Sequence, residues 1–186
     1  RASLKPMAWK EQMVPIVVPG SGLVLEGVWQ KGAGRGAVIA PPHPEYGGSL
    51  ENPVVSELAY ALYKAGVASL RFNWRGVGAS QGVISGDSAA ADEDYLAALE
   101  QVCETAGLPV IGAGYSFGAA TALRVGLRDP RVAELILVAP PIGMTSCAAP
   151  PPICATWCTR RRREARWRWS PTWPWPARSS RMTPCW

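Results

Sequence analysis

The sequence predicts an α/β protein of three layers, α/β/α, built on a mostly parallel sheet. Three observations carry that prediction. Short apolar runs alternate with helical runs from residue 37 onward, a hairpin precedes them, and the residues able to carry chemistry fall just after predicted strands. Such alternation is the pattern of parallel strands joined by crossover helices, and sheets of this kind gather their sites at the C-terminal ends of the strands. A chain of 186 residues with 48% apolar content can bury one core.

Residues 13–18 and 23–29 are apolar segments joined by Pro19-Gly20-Ser21-Gly22, the grammar of a hairpin. In the second segment Leu23, Leu25 and Gly27 alternate with Val24, Glu26 and Val28, which gives one wetter face. Residues 31–36 are rich in glycine but form no phosphate loop, because no Gly-Lys-Ser/Thr follows and no helix opens from them. Residues 37–40 read as a third strand buried on both faces, followed by a rigid loop, Pro41-Pro42-His43-Pro44-Glu45-Tyr46-Gly47-Gly48. Asn52-Pro53 supplies an N-cap and a first-turn proline. Val54, Leu58, Ala61 and Leu62 then recur at helical spacing, and Gly66 closes the helix.

Residues 67–73 read as a fourth strand, followed by the glycine-punctuated loop 74–80. An acidic helix is expected from near Asp87 to Ala106, with Asp92, Glu93 and Asp94 in early turns where the helix dipole favours them. Cys103, on this helix, reads as core. Residues 108–113 are a fifth strand, residues from Phe117 onward a helix stopped by Asp129-Pro130, and residues 133–139 a sixth strand.

At the joint between the fifth strand and its helix stands Gly114-Tyr115-Ser116-Phe117-Gly118. A serine between two glycines at a strand-to-helix joint has the pattern of a nucleophile elbow, a tight turn in which side chains at Gly114 and Gly118 would collide with neighbouring backbone. The turn lifts the serine oxygen over the sheet edge beside the positive end of the helix.

Residues from about 12 to 144 resemble the α/β-hydrolase fold, in particular small cytosolic hydrolases that pair a His-Pro-x-Tyr-Gly-Gly loop with Phe-Asn-x-Arg-Gly-x-Gly-x-Ser. Those motifs stand here as residues 43–48 and 72–80, with Gly-Tyr-Ser-Phe-Gly as the third. The resemblance implies a serine hydrolase acting on a small carboxylic ester or thioester, with no metal or organic cofactor. It makes Ser116 the nucleophile and the backbone N–H of Phe117 one oxyanion donor. The loop after the third strand supplies the other donor; Pro44 has no N–H, so Glu45 is the first candidate and Tyr46 the second. His43, the one histidine in the sequence, is expected to hold this loop with Gly47 and Gly48 rather than to act as general base. Arg75 and Tyr115 are candidate substrate contacts, and the acidic helix is an equal candidate partner for Arg75.

The pattern then breaks. The hydrolase order is serine, acid, histidine, yet the acids after Ser116 are Asp129, Glu134 and Glu164, and no histidine follows. Asp129 ends a helix and Glu134 sits inside a strand. The expectation is an impaired copy without triad acid, histidine or the last two strands of the fold.

Two domains of unlike composition result. Residues 1–144 hold 11 Lys/Arg and 13 Asp/Glu, a net charge of −2, and one cysteine, which suits a reducing cytoplasm. Residues 145–186 hold eight arginines against one acid, six tryptophans and four cysteines. They show no helical or strand period and are expected to form an irregular tail that is not natively folded. Cysteine spacing without histidine argues against a metal site. A frame slip in GC-rich coding DNA produces such a composition: shifted by one base, and with CGN arginine and TCN serine codons, residues 166–176 read aliphatic, Ala, aliphatic, Val, small, one of Asp, Asn, His or Tyr, aliphatic, Ala, aliphatic, Ala, and Met182-Thr183 yields an aspartate. The rival reading is a non-catalytic binding module whose Arg/Trp tail contacts nucleic acid or membrane, with no nucleic-acid role for the core. No run of residues is long and apolar enough to span a bilayer. Residues 1–6 are too polar and too short to begin a signal peptide, and position 1 is not a methionine, so Met7 is a candidate start.

Overall fold

A computed structural model describes residues 10–141 and, beyond them, the backbone of two short strands at residues 158–161 and 168–169. The hairpin is β1 (Glu11–Val17) and β2 (Val24–Gln30), antiparallel, with Gln12 opposite Trp29 and Ile16 opposite Leu25. Then come β3 (Gly36–Ala40), a single 3-10 turn at Pro44–Tyr46, α1 (Pro53–Lys64), β4 (Ala68–Phe72) and α2 (Ser88–Ala106). The described core closes with β5 (Val110–Tyr115), α3 (Phe117–Arg128) and β6 (Val132–Val138).

The helix starts are chemically specified. Asn52 Oδ1 accepts the N–H of Val54 at 3.0 Å and Asp87 Oδ2 accepts that of Ala90 at 2.9 Å, each satisfying a donor that has no partner inside its helix. Gly66, at φ +74°, turns the chain out of α1 in the left-handed region that an L side chain resists.

Strand order is β1-β2-β4-β3-β5-β6, continued by β7 (Cys158–Arg161) and β8 (Arg168–Trp169). The central strands β4, β3, β5 and β6 are parallel, and the hairpin joins β4 antiparallel. Alternate residues of β3 divide the core. Val38 and Ala40 face α2 and α3 with Leu70, Phe72, Tyr95, Leu99 and Leu123, while Ala37 and Ile39 face α1 with Val55, Leu58 and Leu62. These are the three layers expected. The order reverses between β3 and β5, and that switch point lies beneath the loop after β3 and the residue after β5.

Two expectations need correction. β5 begins at Val110 rather than Leu108: Pro109 has no N–H for the ladder, and Leu108 is exposed. The tail, expected to carry no regular strand, contributes β7 and β8. Both are antiparallel, with Cys158 opposite Leu137 and Trp169 opposite Cys158, so they are not the two parallel strands that complete the hydrolase pattern. The outer edge of β6 explains them: a row of unpaired N–H and C=O groups accepts another backbone segment whatever its side chains.

Candidate active site

Ser116 is the single residue between β5 and α3. Its backbone stands at φ +52°, ψ −116°, a region that costs a non-glycine residue about 1–3 kcal/mol. The neighbours hold it there. Its N–H donates to Val138 O at 2.9 Å and its carbonyl accepts the N–H of Ala120 at 3.1 Å. A Cβ on Gly114 would lie 2.4 Å from the backbone of Gly118, and one on Gly118 would lie 2.4 Å from the carbonyl oxygens of Ala40 and Pro41. The serine makes no side-chain capping bond at the start of α3, so its hydroxyl is not tied to the helix it precedes. Phe117, the first residue of α3, has no preceding turn to accept its N–H.

The loop after β3 uses its donors internally. Tyr46 N donates to His43 O at 3.2 Å, Gly47 N to Pro44 O at 3.2 Å and Gly48 N to His43 O at 3.0 Å. Glu45 N donates to the His43 side chain at Nδ1 across 3.3 Å, a long bond. Of the two loop candidates for the second oxyanion donor, the Tyr46 N–H belongs to the turn, and the Glu45 N–H is the more weakly held. Gly47 takes φ +75°, and a Cβ on Gly48 would meet Pro42 O at 2.2 Å.

His43 is hemmed in. Its ring centroid is 4.6 Å from that of Phe117 and 4.8 Å from that of Tyr46. Its other edge lies against Gly86, where a Cβ would come 2.7 Å from Cε1 and 2.9 Å from Nε2. Gly86 N also donates to Glu45 Oε1 at 3.2 Å, which ties the approach to α2 to the same turn.

Beyond β4, Arg75 is committed to the acidic helix. Nε and Nη2 donate to Asp94 Oδ1 at 3.0 and 2.8 Å, and Nη2 also reaches Glu93 and the carbonyl of Ala90. The backbone N–H of Arg75 donates to Asp94 Oδ2 at 2.9 Å. Asp94 is 1% exposed, and its hydrogen-bonded carboxylate raises the guanidinium pKa against the opposing effect of burial. Of its two candidate partners, Arg75 has the helix, not an open site. Tyr115, half-buried, packs with the α1-side core.

Three supports are not apparent from the sequence. Asn73 bridges Leu50 N and Glu26 Oε2, at 2.8 and 2.7 Å, while Glu26 also accepts from Ala79 N. Ser80 Oγ links Glu26 N to Asn73 O. Trp74, 1% exposed, donates from Nε1 to Pro41 O and Pro42 O. Asn, Glu and Ser in these positions also fit ordinary surface turns, so residue type alone carries no signal.

The acids after Ser116 lie elsewhere. Asp129 caps the far end of α3 and binds Arg131, whereas Glu134, at the start of β6, pairs with Arg35 beside the start of β3. Glu164 falls outside the described residues. Among the described residues no group of three or more His, Cys, Asp and Glu is placed to hold a metal, and no helix is long and apolar enough to cross a membrane. Burial in the helix pushes the Cys103 thiol up.

The family model of the serine aminopeptidases, S33, matches residues 51–180 and so runs past residue 144. An uncharacterized protein of Rickettsia prowazekii is 34% identical over 126 residues, 63% of this chain and 51% of that one. The chain therefore spans about half the length of this curated relative. Among solved structures, an alpha-beta serine hydrolase homologue from Coxiella burnetii is 37% identical with a TM-score of 0.64, over 70% of this chain and 64% of that one. A member of the α/β serine hydrolases from Xanthomonas campestris, described as without lid, is 30% identical with a TM-score of 0.66, over 80% of this chain and 70% of that one.

Proposed function

The chain belongs to the serine aminopeptidase S33 family of α/β-hydrolases, and we propose that it cleaves a small carboxylic ester or thioester through Ser116, slowly for want of a triad base. The observation that carries this reading is the Ser116 turn: positive φ, no capping bond from the hydroxyl, and a helix N-terminus directly behind it.

In the proposed reaction Ser116 Oγ attacks the acyl carbonyl and loses its proton to water. The oxyanion is met by the N–H of Phe117 and, after it leaves His43 Nδ1, the N–H of Glu45. Collapse expels the alkoxide or thiolate, and water then releases the acid and restores the serine. No residue after Ser116 in these 186 residues is a histidine. His43 has one nitrogen accepting from Glu45 and the other against Gly86, which argues against its acting as the base.

A p-nitrophenyl acyl ester tests this, because its leaving group departs without a general acid. The expected result is slow hydrolysis that Ser116→Ala removes; an unchanged rate in that variant overturns the assignment. Restoring the shifted reading frame after residue 144 should raise the rate by about 10³-fold or more, since loss of triad members costs at least that factor while the oxyanion hole retains a remnant. Ordinary hydrolase rates from the 186-residue chain would mean a base is present, and His43→Ala would identify it.

A further inference from the structure

The two proposed oxyanion donors sit on segments far apart in sequence, and the β3–β5 ladder that joins those segments stops at Ala40 opposite Gly114. From Pro41 to the Glu45 N–H no ladder bond fixes the loop against the elbow. Pro41 and Pro42 have no N–H of their own, so these two residues present carbonyls only. One side chain answers them: Trp74 Nε1 donates to Pro42 O at 2.9 Å and to Pro41 O at 3.3 Å.

Each of those carbonyls is in tight contact with a glycine of the site. Pro41 O lies where a Cβ on Gly118 would stand, at 2.4 Å, and Pro42 O where a Cβ on Gly48 would stand, at 2.2 Å. The face of the site that holds Phe117 is touched by the same indole, edge to face, with ring centroids 5.6 Å apart. Phe72 braces it from behind at 4.8 Å. Trp74 thus contacts both halves of the proposed oxyanion hole, and its N–H is the polar link it contributes.

We infer that Trp74 is a positioning residue for the oxyanion hole, its indole N–H fixing the loop that carries the Glu45 N–H relative to Phe117. The inference rests on the proposed hydrolase function. It concerns geometry between the donors, to which transition-state stabilisation is sensitive: a misplacement of about 1 Å can cost on the order of 10²-fold in rate.

The test uses the full chain with β-(3-benzothienyl)alanine introduced at position 74 alone. That residue keeps the shape of tryptophan but carries sulfur in place of the N–H. Trp74→Phe is the second variant. With a p-nitrophenyl ester, the Ser116-dependent kcat should fall about 10- to 100-fold in both, KM should change little, and the benzothienyl variant should keep its melting temperature. Backbone amides 45–48 should exchange with solvent at least about 10-fold faster in the benzothienyl variant. Unchanged kcat and unchanged exchange in a folded benzothienyl variant overturn the inference. A loss confined to the melting temperature of Trp74→Phe, with kcat per folded molecule intact, overturns it also. If Ser116→Ala leaves the rate untouched, the hydrolase reading falls instead, and the exchange measurement alone decides whether Trp74 holds the loop.

Discussion

Gly118→Ala is the sharpest test of how the elbow is built. The added Cβ would stand 2.4 Å from Ala40 O and from Pro41 O and 2.6 Å from Ala40 C, whereas real Cβ atoms essentially never approach closer than 3.0 Å. Backbone must therefore move by roughly 0.6 Å or more, and Ala40, fully buried at the end of a central strand, has little room to give. Overpacking of this kind costs about 1–3 kcal/mol, partly offset by up to about 1 kcal/mol of helix propensity gained on replacing glycine. A net loss of about 1–2 kcal/mol lowers the urea midpoint by roughly 0.5–1 M for a domain of this size. Gly126→Ala is the internal control. Its Cβ meets side-chain atoms rather than backbone, the end of Leu135 at 2.6 Å, which can rotate away, and Val132 Cγ1 at 3.2 Å, which must give by a few tenths of an ångström, and it collects the propensity gain inside α3. Its midpoint should match or slightly exceed that of the wild type. A Gly118→Ala protein as stable as wild type, or a Gly126→Ala protein equally damaged, would refute the close approach inferred at the elbow.

Asp94→Ala removes the acceptor for Arg75 Nε, Nη2 and N–H together and leaves a largely buried guanidinium, so urea denaturation should show a loss of about 3 kcal/mol; Glu93 and the Ala90 carbonyl keep it at the low end for a broken buried pair. Arg71, its side chain 8% exposed, pairs with Glu11 and donates to Ser56 Oγ and Leu50 O, so Arg71→Met, which removes all three bonds, should lose about 1–3 kcal/mol, and Arg71→Ala, which adds a cavity, should lose more by the same measurement. Tyr95 is fully buried and burial pushes its hydroxyl up, so the folded chain holds that proton more tightly than the unfolded one. Its contribution is present below the ordinary tyrosine pKa of about 10 and is lost as pH rises above it; Tyr95→Phe should flatten the alkaline fall in melting temperature between about pH 9 and 11.

The layers and the helix limits were legible because punctuation and periodicity agree. Asn52-Pro53, Asp87, Gly107 and Asp129-Pro130 bracket apolar runs whose spacing matches their final structure. The tight turn at Ser116 was legible for a related reason: the glycines on either side of it are each required by a close approach that the local pattern already implies. What escaped was held by partners distant in the chain. Trp74 and the Pro41 carbonyl are 33 residues apart, and Asn73 and Glu26 47. No window of periodicity links such pairs. Arg75 illustrates the limit, since a guanidinium after a strand fits a substrate carboxylate and a helix carboxylate alike until the helix is packed.

The sixth strand bears on catalysis through the direction of its neighbour. A hydrolase of this architecture delivers its acid and histidine from loops after further parallel strands, which end on the same edge as β5 and β6. Here β7 is antiparallel: Cys158 lies opposite Leu137, near the edge where Ser116 stands, and Arg161 lies opposite Glu134, toward the other edge. The C-terminal end of β7 therefore points away from Ser116. A parallel strand on the same side of β6 would instead end beside Val138, whose carbonyl already receives the Ser116 N–H at 2.9 Å. On the proposed reading, what a restored frame must supply is strand direction as much as residue type. An aspartate or a histidine substituted at 160 or 161, positions that pair with β6 toward the other edge, should leave the ester rate unchanged within about twofold. A rate gain of about tenfold or more from any such single substitution would show that β7 faces the serine after all.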